Sequence, residues 1–381
     1  MRVREIGLTI GTLPTGPRNA ITDVDGVGVG HATIVSGSGL MKVGEGPVRT
    51  GVTVVRPTRG HPRATPVAAG TATLNGNGEM TGLEWVRESG LLTADIGITN
   101  THSVGIVRDA LVAEDERANS GKGIYWSMPV VGETYDGILN DIEGRHVTAA
   151  HVEEAIAGLS YEDVAEGSVG GGTGMICHAF KGGIGTSSRV VSIGSVDYTV
   201  GVLVQANHGD RKDLRFDGLP VGRHLGDDVV KMPALADHIL EKLAKPGTGS
   251  IILVVATDAP LTDNQCRRLA NRAYVGLART GGGCHDGSGD ICIAFATGNV
   301  GSVVPEFMAV ESVTTTVTHL AHQEISPLFE ATSEATEEAI FNAMLQSSTT
   351  EGRDWITVQG LTPELLKKAI SDVVADVKDG L

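Results

Sequence analysis

Ser250 is the residue of this sequence best placed to act as a nucleophile. It follows Gly249 and precedes an apolar run over residues 251–256 that predicts a buried strand. Because Gly249 has no Cβ, the backbone there can adopt the strained geometry in which the Ser250 hydroxyl attacks the Gly249 carbonyl. Cleavage would leave Ser250 with a free α-amine, whose ordinary pKa of about 7.7–8.0 lets it accept the hydroxyl proton near neutral pH. Taken alone, the Gly-Ser pair also fits a turn that leads into a core strand.

Asn207 places an amide side chain at the end of another apolar run, residues 202–206. Its NH2 group could stabilise the oxyanion of a tetrahedral intermediate, an effect worth about 2.7–4 kcal/mol. An asparagine in a glycine-bearing loop could also bond its own backbone. A terminal amine makes a histidine base redundant, so we predict a structural role for the neighbouring His208 and for the Cys-His-Asp segment at 284–286.

Ser288 and Asp290 offer a hydroxyl and a carboxylate just before a predicted strand at 291–296. They could hold the ammonium and hydroxyl groups of Ser250, or bond local amides in a turn. Two glycine clusters, at 170–174 and 182–186, lack the lysine-bearing spacing of a nucleotide loop. We interpret them as backbone packed closely around a pocket and between sheets, with simple turns as the alternative.

The secondary structure predicted around these residues is mixed. Apolar runs at 52–55, 199–204 and 291–296 indicate strands, and several are apolar on both faces, which is typical of sheets covered on both sides. Helices are predicted in three places: a segment capped by Asp263 with Cys266, Leu269, Ala273 and Leu277 at helical spacing, residues 334–345, and a segment that begins at Thr362-Pro363-Glu364.

Residues 209–232 form the clearest irregular stretch, rich in charge, glycine and proline. A predicted helix at 234–244 and an exposed-looking stretch at 245–248 follow it. This order of elements is what we expect of a chain that approaches a cleavage site. A linker between independent domains is the alternative, but the apolar strand after Ser250 ties both sides into one core.

Composition narrows the class of partner. The 381 residues carry 52 glycines and a net charge of −16, which argues against nucleic acid and anionic membranes and favours small molecules or peptides. The four cysteines have neither the spacing of a zinc site nor the density of a disulfide scaffold, so we expect no metal and no cofactor. The start of the chain lacks the apolar stretch of a signal peptide, which predicts a cytoplasmic protein with the periplasm as the alternative.

The sequence resembles the self-processing aminopeptidases that include the L-aminopeptidase/D-esterase enzymes and the β-peptidyl aminopeptidases. The resemblance runs in order through residues 19–24, 49–53, 169–175, 181–189, 200–210, 256–261 and 288–290. It implies an α/β fold of four layers, an αββα sandwich of N-terminal-nucleophile type. It also implies a single catalytic domain, residues 1–381, cleaved into an α chain (1–249) and a β chain (250–381), and a tetramer of such pairs.

The same resemblance implies roles for particular residues. Ser250 is the nucleophile, Asn207 supports the oxyanion, and Ser288 and Asp290 are catalytic, although relatives often carry Glu where this chain has Asp290. Two more residues bind substrate: Glu133 holds the free amino group, and Tyr135 lies close to the reacting carbonyl. The implied reaction is removal of small L-Ala, D-Ala or β-aminoacyl groups from peptides, amides or esters. An acyltransferase similar to the ornithine acetyltransferases and an uncleaved, non-catalytic binding protein are the alternatives.

Overall fold

Two β-sheets lie at the centre of the fold in a computed structural model that describes residues 1–120, 126–233, 249–302 and 314–379. The smaller sheet has the order β1 (Gly28–Ser36), β2 (Val48–Arg56), β5 (Ile96–Asn100) and β6 (Val130–Thr134). The larger sheet has the order β4 (Leu91–Leu92), β3 (Val67–Gly76), β12 (Gly289–Ala296), β11 (Ser250–Thr257), β10 (Val196–Asn207) and β9 (Gly183–Ile193). Two short hairpins complete the strands: β7 (Ile176–Cys177) with β8 (Phe180–Lys181), and β13 (Thr350–Glu351) with β14 (Thr357–Val358).

Helices cover the outer face of each sheet. On the smaller sheet these are α2 (Val104–Asn119) and α3 (Ala149–Ala157), and on the larger sheet α4 (Asp263–Arg279) and α5 (Ser326–Leu345). The remaining α-helices of the described chain are α1 (Leu83–Ser89), beside β3, and α6 (Pro363–Asp379). No helix in the described ranges is long and apolar enough to span a membrane.

Strand β11 shows why the sheets stack between helices. Its side chains alternate, so Ile251 and Leu253 pack in the core beneath α4 and α5, while Ile252 and Val254 pack in the core between the two sheets. Every residue of β11 is buried, and burying a side chain of this size contributes about 1.5–3 kcal/mol. The predicted four-layer αββα arrangement, with sheets covered on both faces, is confirmed.

The predicted strands fall within β2, β10 and β12, and the predicted helix at Pro363 is α6. The prediction that Asp263 caps α4 is wrong: the N-cap is Thr262, whose hydroxyl accepts from the Gln265 amide at 3.3 Å in a capping box. Asp263 is instead the first helical residue, where its charge favours the helix N-terminus.

The helix predicted at 334–345 also begins earlier than expected, at Ser326. Its first turns contain Pro327, Thr332 and Ser333, which are residue types with low helix propensity or a preference for helix starts. The sequence pattern therefore does not indicate a helix over these turns. Packing against β9 and α4 stabilises this part of the helix. The stretch 209–232 is irregular as predicted, with short 3-10 turns at Arg211–Asp213 and Val221–His224. The predicted helix at 234–244 and the stretch 245–248 lie outside the described residues.

Candidate active site

Ser250 is the first residue of β11, the strand that lies between β10 and β12 in the larger sheet. It pairs with Asn207 across the antiparallel ladder and with Gly289 across the parallel ladder. By alternation from Ile252, its side chain faces the space between the two sheets. Ser250 is only 7% exposed, so its hydroxyl lies in a sheltered position at the edge of the inter-sheet core.

The Gly289 amide is the group that contacts the Gly249-Ser250 junction directly. Its N–H donates to the Gly249 carbonyl oxygen at 3.3 Å and to Ser250 Oγ at 3.2 Å. The same donor therefore contacts both the carbonyl oxygen of Gly249 and the hydroxyl of Ser250, the two groups that self-cleavage would bring together. Preorganised backbone donors of this kind stabilise the negative charge that develops on an attacked carbonyl oxygen.

Gly249 is required by close packing. A Cβ at this position would lie 2.5 Å from the Asn207 carbonyl oxygen and 2.7 Å from the His208 Cα atom, both of which belong to the backbone of β10 or its extension. Only glycine lets the two segments approach this closely. The sequence argument for Gly249 depended on freedom at its own carbonyl, and the structure adds the contact with the neighbouring strand.

Both polar groups of the Asn207 side chain have partners. Oδ1 accepts from the Ile176 amide at 2.8 Å, and Nδ2 donates to the Tyr135 carbonyl at 3.1 Å. These bonds fix the orientation of the amide, because the Ile176 N–H can only donate. Nδ2 has a second hydrogen, and Asn207 is the cross-strand neighbour of Ser250. Asn207 is thus a rigidly held donor beside Ser250.

Ser288 and Asp290 form a small network with Asn75, at the end of β3. The Ser288 hydroxyl donates to Asp290 Oδ1 at 2.6 Å, and Asn75 Nδ2 donates to Asp290 Oδ2 at 2.6 Å. Burial raises the pKa of the Asp290 carboxyl, and the two hydrogen bonds oppose that shift. Ser288 and Asp290 flank Gly289, the ladder partner of Ser250, and within the described chain it is the Gly289 amide that bonds the Ser250 hydroxyl.

Glu133 lies in β6 and is buried, with 4% of its surface exposed. Oε1 accepts from the Glu79 amide at 2.9 Å, and Oε2 accepts from the Thr101 hydroxyl. Burial raises the pKa of this carboxyl, and the structure shows no salt bridge to Glu133 from the residues it describes. A buried carboxylate is costly without a cation. Glu133 therefore has the properties of a site for an ammonium group from outside the chain.

Tyr135 enters the site through its backbone. Its carbonyl oxygen accepts from the Asn207 side chain, whereas the residue as a whole is 46% exposed. A Cβ at Gly137 would lie 2.4 Å from the Tyr135 hydroxyl oxygen, so the glycine leaves room for the ring to lie over the loop. The structure thus connects Tyr135 to the candidate oxyanion residue.

A groove of about 440 Å³ adjoins these residues. Gly78 and Glu79 line it, and Gly78 packs against Gly289 while the Glu79 amide bonds Glu133. Met80, Trp85 and Ile291 supply apolar wall, and Glu84 and Arg87 supply charge at its rim. A groove with an apolar wall and few polar groups fits a small acyl or leaving group.

Sequence reasoning missed three groups of this site: the Gly289 amide, the Asn75 side chain and the Thr101 hydroxyl. The only signal for Asn75 was its place in an Asn-Gly-Asn-Gly run at 75–78, which reads as a turn. His208 is buried and packs edge-on against His178, as expected of a structural residue. His285 of the 284–286 segment lies 3.8 Å from an Asp210 carboxylate oxygen.

Two sheets stacked between helical layers, with a serine at the first position of a central strand, define a hydrolase of the N-terminal-nucleophile type. A family model for peptidase family S58 matches residues 19–358. The chain therefore belongs to peptidase family S58, and it is an aminopeptidase.

Three similar proteins illustrate the relationship. The β-peptidyl aminopeptidase BapA of Sphingosinicella microcystinivorans is 46% identical over 94% of this chain and 89% of its own length. The solved structure of a Burkholderia sp. β-aminopeptidase matches with a TM-score of 0.88 at 51% identity, over 98% of this chain and 99% of that one. The third is the solved structure of the L-aminopeptidase D-Ala-esterase/amidase of Ochrobactrum anthropi, described as a variant of the Ntn hydrolase fold. It matches with a TM-score of 0.87 at 40% identity, over 97% of this chain and 98% of that one.

Proposed function

We propose that this protein is a self-processing serine aminopeptidase in which Ser250 becomes both nucleophile and N-terminus. The observation that carries the proposal is the Gly289 amide, which donates to the Gly249 carbonyl and to Ser250 Oγ at the same time. The products of maturation are an α chain ending at Gly249 and a β chain beginning at Ser250. Because β11 pairs with β10 from the α chain and with β12 from the β chain, the two fragments remain one catalytic domain.

The first stage of the mechanism is an N-to-O acyl shift. Ser250 Oγ attacks the Gly249 carbonyl carbon, the Gly289 amide stabilises the oxyanion, and the C–N bond breaks as the hydroxyl proton passes to the Ser250 nitrogen. Water then hydrolyses the ester, which releases the Gly249 carboxylate and regenerates the hydroxyl. Alignment matters most here, because a well-oriented intramolecular attack reaches effective molarities of about 10⁵ M or more.

The second stage uses the same hydroxyl on a substrate. The free Ser250 amine accepts the hydroxyl proton, Oγ attacks the first acyl carbon, and the amine returns the proton to the leaving nitrogen or oxygen. Asn207 Nδ2 donates to the oxyanion, and the network of Ser288 and Asp290 supports the new ammonium. Water then hydrolyses the acyl-enzyme.

Glu133 gives the reaction its requirement for an N-terminal amine. Its buried carboxylate binds the substrate ammonium, so a blocked N-terminus would leave the charge without a partner. Substrates are thus small peptides, amides or esters with a free amino group. We place β-aminoacyl compounds first among them, ahead of L-Ala and D-Ala derivatives, because the relatives named for β-aminopeptidase activity are 46% and 51% identical.

The test of the proposal is the Ser250→Ala variant. We expect wild type to run as two fragments on a denaturing gel, with a new N-terminus at Ser250 by mass spectrometry. Ser250→Ala should remain one full-length chain and release no p-nitroaniline from β-alanyl or alanyl p-nitroanilide. A Ser250→Ala protein that still matures at the same bond, or wild-type protein that is active as a single chain, refutes the proposal.

A further inference from the structure

Three side chains that can bind metal meet behind the candidate oxyanion residue. Cys177 and His178 come from the β7–β8 hairpin, and His208 directly follows Asn207. Each offers one ligand atom, and these atoms all lie within 4.8 Å of one another. Cys177 and His178 are 0% exposed and His208 is 3% exposed, so the group is fully enclosed. Neither stage of the proposed mechanism uses any of the three.

His178 has a nitrogen lone pair without a partner. Its Nδ1 lies 2.8 Å from the Asp210 carbonyl oxygen, which can only accept, so Nδ1 carries the proton and Nε2 carries the lone pair. Nε2 is buried and has no hydrogen-bond partner in the described part of the chain. A buried polar atom left unpaired costs about 1–3 kcal/mol. Metal-binding histidines commonly donate their other N–H to a backbone carbonyl, as His178 does.

The spacing of the group suits a metal ion. Cys177 Sγ lies 3.9 Å from both ring nitrogens of His208. In a metal site, a sulfur ligand lies about 2.3 Å from the ion and a nitrogen ligand about 2.1 Å from it. If three ligands surround the ion in a plane, the sulfur and the nitrogen are then about 3.8 Å apart. The Cys177–His208 separation therefore matches that of two ligands of one ion, but Sγ is equidistant from the two ring nitrogens, so the imidazole must rotate to aim a lone pair at an ion bound to the sulfur.

We propose that Cys177, His178 and His208 bind a single thiophilic metal ion, Cu⁺ in preference to Zn²⁺. Thiolate and imidazole ligands suit both ions, but Zn²⁺ takes four ligands in structural sites and this group supplies three. Binding replaces the thiol proton of Cys177 with the ion and releases that proton, so Cu⁺ leaves the site without net charge.

The surroundings favour the neutral complex. Zn²⁺ would leave one positive charge in an enclosed volume that already has the Arg211 guanidinium beside it. Lys181 interacts electrostatically with Cys177, and the Arg211 Nε donates to the His178 carbonyl at 3.1 Å. Asp210 and Asp213 also interact electrostatically with His178. Their carboxylates cluster with the half-buried His285, however, and are not among the three enclosed ligands.

The test is an anaerobic titration of the full-length protein with Cu⁺, in competition with the chromogenic chelator bathocuproine disulfonate. We expect one equivalent to bind wild type. Cys177→Ser and His178→Gln should each weaken binding by more than about 100-fold, since removing even an outer partner of a metal ligand costs roughly 10- to 100-fold. The control is Cys266→Ser, which removes another buried cysteine whose thiol contacts the Ala68 carbonyl.

Two further measurements keep the result decisive. The unfolding temperature measured without metal identifies a variant that fails to fold. If Cys177→Ser fails to fold, the thiolate-to-copper absorbance of wild type and the His178→Gln titration decide whether the site binds Cu⁺. Binding that Cys177→Ser and His178→Gln leave unchanged, or wild type that binds no Cu⁺, overturns the site. A parallel titration with Zn²⁺ that shows tighter binding than Cu⁺ overturns the choice of ion.

Discussion

Gly249→Ala provides the sharpest test of how the fold aligns the cleavage junction. The added Cβ would lie 2.5 Å from the Asn207 carbonyl oxygen and 2.7 Å from His208 Cα, and Cβ contacts below 3.0 Å are essentially not seen in proteins. Both obstacles are backbone atoms, so no side chain can turn away. The backbone at position 249, just before β11, must therefore move away from β10 by about 0.5 Å or more.

That displacement acts on the Gly289 hydrogen bonds. The amide contacts the Gly249 oxygen at 3.3 Å and Ser250 Oγ at 3.2 Å, already near the long end for hydrogen bonds. A misplacement of about 1 Å costs roughly 100-fold in rate, equivalent to about 2.7 kcal/mol. We expect Gly249→Ala to slow self-cleavage by about 10- to 100-fold while overpacking costs about 1–3 kcal/mol of stability.

The assay follows the loss of full-length protein on denaturing gels after cell-free synthesis. Gly105→Ala is the matched control, because a Cβ at Gly105 meets nothing within 4 Å, and in a helix this change is stabilising by about 0.5–1 kcal/mol. The Ser250→Ala variant gives the position of the uncleaved chain on the gel. If Gly249→Ala cleaves as fast as wild type and Gly105→Ala, close packing at this glycine does not align the junction.

Three further outcomes follow from the site. Asn207→Ala should lower kcat on β-alanyl p-nitroanilide by about 10²–10³-fold if its NH2 group stabilises the oxyanion, and an unchanged kcat in matured enzyme would contradict that role. Burial raises the pKa of Glu133, and only the charged form of this carboxyl binds an ammonium group. The kcat/KM of wild type should therefore fall as the pH drops through that raised pKa. The kcat/KM of Glu133→Gln should be low and should not change over the same pH range. Asp136 is the fully buried residue that follows Tyr135, and burial raises its pKa to about 7. The stability gained from its protonated form is therefore present at about pH 4 and is lost as pH rises through about 7. The difference in unfolding temperature between Asp136→Asn and wild type should therefore move in favour of the variant from pH 4 to pH 8, and a constant difference would contradict the shifted pKa.

The sequence by itself determined the features that depend on neighbouring residues. A glycine and a serine before an apolar run predict the buried strand that begins at Ser250, because strand burial and glycine's freedom are local properties. The strand predictions for β2, β10 and β12 were correct for the same reason. The errors were also local: Thr262 and Asp263 are both good N-cap residues, and only the backbone shows which one lies outside the first helical turn.

Tertiary structure alone decided which distant groups meet. Gly289 and Ser250 are 39 residues apart and Asn75 and Asp290 are 215 apart, and strand order and register bring each pair together. Cys177 and His208 are 31 residues apart, outside the spacing of familiar zinc motifs, so the cysteine pattern argued against a metal site. Register between strands depends on which faces are buried across the whole molecule, and no local pattern encodes it.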